Sequence, residues 1–449
     1  GRRAVPGGRG SAVRGVHNAS VLTETVRTKT PSATLMINEA SNALIREGRK
    51  VYKFGLGQSP FPPADCMIEE LRAKAAEKDY LPVQGLGALR EQISWFFGSK
   101  YGVERRAEDV IVGPGSKELM MILQLCQVGT LYLPSPSWVS YAPQAELAGR
   151  ALRWVETQEG NGYRVTAAEL DAAWSARPGE AKCLILNYPS NPLGLTFTRA
   201  ELEDIAAVCR RHEAIVVSDE IYGEVTFRDG EPHETLARYY PEGTIISSGV
   251  SKFAGAGGWR MGFFALPSSL GWLRDAMKVV ASESFTSVSA PIQYASIPAF
   301  SDSPEMREYL HHSRRVLAVI ARHMHAALTE MGARAALPEG GFYIFPNFTP
   351  FADTLRQRRG ITDSRALVTS ILEDTGVAFL PGSDFGRPAE ELTARMAFVD
   401  FDGCRALAAA RLVPPADPLP ATFVVQECPQ IVEGMEVLRE WFRTYGASD

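Results

Sequence analysis

Ser247-Ser248-Gly249-Val250-Ser251-Lys252-Phe253-Ala254-Gly255-Ala256-Gly257-Gly258-Trp259-Arg260-Met261-Gly262 follows a short apolar strand, Thr244-Ile245-Ile246. One lysine sits in a turn of small residues, with an arginine eight positions on. A lysine amine condenses with an aldehyde, and an arginine fork grips a phosphate through two parallel hydrogen bonds. The stretch therefore suits a cofactor that carries both groups. Taken alone it is equally a surface lysine beside an ordinary turn, so its neighbours along the chain must decide.

Upstream, strand-like apolar runs recur and each ends in a polar or small-residue turn. Val110-Ile111-Val112 breaks at Gly113-Pro114-Gly115-Ser116-Lys117 before an apolar helical segment, the arrangement in which free N–H groups meet an anion. Leu131-Tyr132-Leu133 leads to Trp138, which reads as a ring-stacking indole or as a core residue. Cys183 to Leu186 ends in Asn187-Tyr188-Pro189-Ser190-Asn191-Pro192-Leu193-Gly194, and Ile215-Val216-Val217 delivers Ser218-Asp219-Glu220-Ile221-Tyr222. Between these runs, Leu202, Ile205, Ala206 and Cys209 mark one face of a helix. Buried strands separated by amphipathic helices predict an α/β fold with a mostly parallel sheet covered on both faces. Ligands in such sheets sit beyond the carboxyl ends of the strands, where Ser116, Trp138, Asn191, Asp219 and Lys252 all fall.

Near the N-terminus, Val51 to Leu56 reads as a strand running into Gly57-Gln58-Ser59-Pro60, a turn that leaves the Gly57 backbone open to a ligand. Residues 31–47 and 304–331 read as helices, and the later segments (340–345, 377–380, 395–401), short strands alternating with helices, suit a smaller α/β domain. Expected boundaries are a disordered or targeting tail over 1–29, an arm and part of the small domain over 30–60, a large domain over 61–315 and the remaining small domain over 316–449. The first twenty residues are arginine-rich and acid-poor, which fits a transit remnant or a disordered tail. A cytoplasmic location is expected, or an organellar one if that stretch is a transit peptide.

A net charge of −5 on 449 residues offers no basic field for nucleic acid, and no apolar run reaches membrane-spanning length. The six cysteines are far apart, with no zinc spacing, so no metal site is expected and reduced intracellular thiols are.

The segments N-P-x-G (Asn191–Gly194), S-D-E-I-Y (Ser218–Tyr222) and S-K…G-G-W-R-x-G (Ser251–Gly262) resemble the class I/II aminotransferases of pyridoxal 5′-phosphate fold type I. The likeness is greatest to the branch holding bacterial-type aspartate and aromatic enzymes, and it extends from about residue 30 to 401. It implies a large domain with a mostly parallel sheet and a smaller α/β domain built from both chain ends. Lys252 would hold the cofactor aldehyde and move the α-proton, with Asp219 pairing the pyridinium and Tyr222 and Asn191 bonding the ring oxygen. Trp138 would stack on the ring, while Gly115, Ser116, the Lys117 main chain and Arg260 would hold phosphate. Arg395 would fork onto the substrate α-carboxylate, supported by Asn187 and Gly57. Tyr80 would reach a phosphate across a homodimer interface.

Two departures stand out. Leu193 replaces the usual threonine of N-P-T-G. Gly249 stands where many relatives carry a phosphate-binding serine, leaving Ser248 or Ser251 to substitute. The segment after Phe401 is also longer than usual. The expected activity is transfer of an amino group between an amino acid and a 2-oxo acid, with an aspartate-type or aromatic donor. Its rival is a lyase such as a C–S lyase on the same fold. A non-catalytic DNA-binding regulator is disfavoured, because too few residues precede the fold.

Overall fold

The computed structural model describes residues 22–27, 33–228 and 233–446. Residues 1–31 and 32–449 form two separate compact units. The first contributes one helical turn, Glu24–Arg27, and the arginine-rich stretch lies outside the described residues.

In the second unit, seven strands make the central sheet: β1 (Val110–Gly113), β2 (Thr130–Ser135), β3 (Leu152–Glu156), β4 (Lys182–Asn187), β5 (Ile215–Asp219), β6 (Thr244–Gly249) and β7 (Gly262–Ala265). Their order is β1-β7-β6-β5-β4-β2-β3, all parallel except β7, which runs antiparallel to both neighbours. The inner strands read as unbroken apolar runs because both faces are covered. Leu131, Leu133, Ile185, Val217 and Ile245 pack on one side, and Tyr132, Leu184, Leu186 and Val216 on the other. Strand β3 lies at the sheet edge with Arg153 and Trp154 only half-buried, so no such run marks it in the sequence. The helix Arg199–Arg211 illustrates the covering layer: a Thr198/Glu201 capping box starts it, and Leu202, Ile205, Ala206 and Cys209 are buried.

The smaller α/β layer joins both ends of the chain. Tyr52–Lys53 pairs in parallel with Val377–Ala378, while Leu380–Pro381, Ala394–Ala397 and Tyr343–Ile344 form an antiparallel sheet. The expected division at 315/316 falls inside the unbroken helix Pro304–Met331. The long segment past Phe401 is mostly helical. Its last helix, Pro429–Tyr445, buries Ile431, Met435, Leu438 and Phe442, and Phe442 stacks on Phe348 with ring centres 4.8 Å apart. Arg315 ties down the intervening proline-rich loop by donating to the carbonyls of Val413, Pro414 and Asp417. Among the described residues no helix is long and apolar enough to cross a membrane, and no cluster of His, Cys, Asp and Glu is placed to hold a metal ion.

Three glycines set the geometry of the sheet end that matters. Gly113 and Gly249 flank Gly262 in register on either side. A Cβ at Gly262 would fall onto the backbone N of Ser116, and one at Gly249 would lie 2.6 Å from Met261 O and 2.7 Å from the Gly262 Cα. Backbone meets backbone here, which seats the helix Ser116–Cys126 directly against β7. Gly249 is therefore a packing requirement in this chain. Gly262→Ala is expected to cost about 1–3 kcal/mol, the usual range for overpacking, seen as a lower urea midpoint. An unchanged midpoint would show that the ladder has slack.

Candidate active site

The sheet delivers its polar groups to one edge. The chain leaves β1 through Gly115, whose φ of 86° caps the helix Ser116–Cys126 and opens that helix's N-terminal amides to the cavity. Strand β4 ends on Asn187 and β5 on Asp219, and Lys252 follows β6. Because β7 runs backwards, its start lies at the same edge, and Arg260, immediately before it, joins the group. Arg260 holds a left-handed φ of 57°, uncommon for a residue with a side chain. Arg395 comes from the small sheet, on Ala394–Ala397.

These residues surround a cavity of about 440 Å³. It brings together Gly57, Gly115, Ser116, Lys117, Trp138, Asn187, Asn191, Asp219, Tyr222, Ser251, Lys252, Arg260 and Arg395. Two of the expected residues lie outside it. Ser248 is buried and donates to the Glu220 carbonyl at 3.4 Å, because residues alternate across β6 and its side chain faces away from the cavity. Ser251 does line the cavity. Tyr80 is 91% exposed and lines no wall of this site.

Asp219 is 4% exposed and forms no ion pair among the described residues. Tyr141 donates to its Oδ2 at 2.5 Å, and Ser247 Oγ and Ile221 N lie 3.4 Å from Oδ1. Burial raises the carboxyl to about 6 against the pull of these donors. Lys252 Nζ donates to the Gly57 carbonyl at 2.6 Å. Loss of water, with Arg395 and Arg260 as neighbouring cations, lowers its amine to about 8, against a smaller opposing effect of Asp219. Arg395 is 1% exposed. It donates to Asn191 Oδ1 at 3.2 Å and to the Gly55 carbonyl, and lies over the Tyr343 ring at 4.8 Å. Its Nε has no partner among the described residues. Burial pushes this guanidinium below its ordinary range too. Lys117, at the exposed rim, sits 5.4 Å from the Trp138 ring centre and is lowered by lost hydration and by Arg260.

Asn187 works through the backbone. Its Nδ2 donates to the Asp219 carbonyl at 2.8 Å, and its Oδ1 accepts from Asn191 N at 2.6 Å, tying two strand ends together. Tyr141 and Tyr343 also line the cavity, and sequence reasoning gave neither a role. A tyrosine three residues after Trp138 and another in Gly340-Gly341-Phe342-Tyr343 look like core residues. Only the tertiary fold sets them beside Asp219 and Tyr222. Chemically, the site can hold anions at two ends, with a depressed lysine amine and a buried carboxylate between them.

Comparison with known proteins follows from this geometry. The family model described as aminotransferase class I and II matches residues 49–409. An aspartate aminotransferase of Geobacillus stearothermophilus is 34% identical, the match covering 82% of this chain and 92% of that protein. Among solved structures, aspartate aminotransferase from Thermus thermophilus with maleate superposes with a TM-score of 0.77 at 27% identity, over 87% of this chain and 99% of that one. Aromatic aminotransferase from Pyrococcus horikoshii gives a TM-score of 0.74 at 26% identity, over 90% and 99%.

In protein freed of small molecules, Lys252 is expected to undergo reductive methylation with a midpoint near pH 8. Asp219→Asn should lower that midpoint further, since Asp219 is the charge that favours the ammonium form. Peptide mass spectrometry across pH reads both, and a midpoint near the ordinary lysine value of about 10.4 would contradict the assigned environment.

Proposed function

This chain belongs to the class I and II aminotransferases, and we propose that it works with pyridoxal 5′-phosphate on dicarboxylic amino acids and their 2-oxo acids. The observation that carries the reading is electrostatic. Lys117, Lys252, Arg260 and Arg395 line one cavity with Asp219 as the single carboxylate, and none of the four forms an ion pair among the described residues. Such a pocket calls for ligands with several negative charges.

The residues fit the cofactor. Asp219, buried and without a cation, suits a protonated ring nitrogen, whose charge would hold the carboxylate ionised. The Gly115 turn, the helix N-terminus and Arg260 suit a phosphate, and Trp138 suits a planar ring. The bound cofactor supplies an aldehyde for Lys252 and an electron sink for the substrate α-carbon. At neutral pH part of Lys252 is already free base, so its Nζ can accept the α-proton and return it to a neighbouring carbon. Asn191 and Tyr222 would hold the ring oxygen. Arg395, whose partners are neutral oxygens, keeps its full charge for an α-carboxylate.

Lys117 supports the choice of substrate. It is a further cation on the cavity rim, beside Arg260 and Trp138, which suits a distal carboxylate, and the similar Thermus structure was solved with maleate, a dicarboxylate. Leu35, Leu56 and Ile221 form an apolar wall, which supports aromatic side chains as a second donor class. Tyr80, exposed and outside its own cavity, supports a homodimer in which it serves the neighbouring site.

Lys252→Ala is expected to lose at least about 10³-fold in turnover with aspartate and 2-oxoglutarate. Release of pyruvate and ammonia, in place of a paired amino acid, would sink the transfer reading. Lys117→Ala should lower kcat/KM for dicarboxylic substrates about 10- to 100-fold, the worth of one hydrogen bond to a charged group. Apolar and aromatic donors should change little, and equal losses for all donors would remove Lys117 from the distal carboxylate.

A further inference from the structure

Tyr343 is buried, lines the cavity and touches three parts of the site at once. Its hydroxyl lies 2.8 Å from the Tyr222 hydroxyl. Its ring lies under the Arg395 guanidinium, 4.8 Å from the centroid. Its phenol oxygen fills the space where a side chain at residue 57 would begin, so a Cβ on Gly57 would overlap it. Gly57 in turn holds Lys252 through its carbonyl. The close approach expected of a ligand at Gly57 is made by the protein's own tyrosine.

The two phenols share a single hydrogen bond, and among the described residues neither hydroxyl has another partner. One O–H is spent between them and the other faces the cavity. Which one is free depends on their relative acidity, since the more acidic phenol donates. Burial raises the Tyr343 phenol above its ordinary range, but Arg395 over its ring and the bond to Tyr222 pull it back toward the ionised form. Tyr222 is displaced well above its ordinary range by burial and by Tyr343.

We propose that Tyr343 is a positioning residue: it donates to Tyr222, leaving the Tyr222 proton for the cofactor ring oxygen, while its ring holds Arg395 in place for the substrate carboxylate. The inference rests on the cofactor reading above. The other charged groups facing the pair are Arg395, Lys252, 5.7 Å from the Tyr222 ring centre, and Asp219, and a Tyr343→Phe change leaves all three in place.

The test is a pH titration of the visible absorbance of protein loaded with pyridoxal phosphate. Without its donor, Tyr222 is a weaker hydrogen-bond donor and stabilises the deprotonated chromophore less. Tyr343→Phe should therefore raise the midpoint by about half to one pH unit, the worth of one ordinary hydrogen bond, with KM for the amino acid within about twofold of wild type. Tyr343→Leu, which also removes the ring, should raise that KM about tenfold. Gly57→Ala, which expels the phenol oxygen, should move the midpoint in the same direction as Tyr343→Phe. A Tyr343→Phe midpoint identical to wild type overturns the proposal, as does a Tyr343→Leu KM equal to that of Tyr343→Phe. A wild-type protein that gains no visible band with the cofactor fails earlier, and overturns the cofactor reading itself.

Discussion

Four cations share one cavity with a single carboxylate, and the protein holds three of them there with neutral oxygens. Lys252 donates to the carbonyl of Gly57, Arg260 to those of Gly257 and Pro114, and Arg395 to that of Gly55 and to the Asn191 amide oxygen. A carboxylate at any of these points would cancel the charge and leave little for a ligand. Carbonyl dipoles fix direction without neutralising, so each side chain is oriented while its charge stays available. The arrangement costs folding energy, and lost hydration together with repulsion from Arg395 and Arg260 depresses the Lys252 amine. The surrounding framework has to be rigid enough to bear it.

That framework is the glycine ladder and the reversed strand. If β7 ran parallel with its neighbours, residue 260 would lie at the opposite edge of the sheet, far from Lys252. Running antiparallel, it starts where β6 ends, and a turn from Val250 to Met261 is enough to place lysine and arginine on one cavity. The absence of side chains at Gly113, Gly249 and Gly262 then lets the helix at Ser116 close on the same point. A side chain at Gly249 has no room, and Ser116, Ser251 and the first amides of the helix are the groups left at that end of the cavity.

Much of this was legible in the chain because the carboxyl ends of buried strands are marked twice, by an apolar run and by the polar residue that stops it. Asp219, Asn187 and Lys252 were found that way. Where a strand is exposed on one side the first mark disappears, as with β3. Ser248 and Ser251 could not be told apart from the motif, because the choice depends on which way the last residues of β6 face. Tyr141 and Tyr343 carry no local mark at all. An aromatic residue in a glycine-flanked strand looks the same whether it fills a core or supports an arginine, and only the approach of the two layers separates these cases.

Division of the site between two layers has a further consequence. Arg395 lies in the strand Ala394–Ala397, whose neighbours set its direction: Leu380 stands opposite it on one side, and Tyr343 pairs with Ala397 on the other. Its guanidinium reaches Asn191, in the loop that follows β4. Neither layer alone holds both anion-binding ends. The contacts that span them include Asn191 with Arg395 and Tyr222 with Tyr343, and both lie inside the cavity itself. Packing between the layers and the spacing of the two anion-binding ends are therefore the same quantity: a shift of one layer changes the length of ligand that fits.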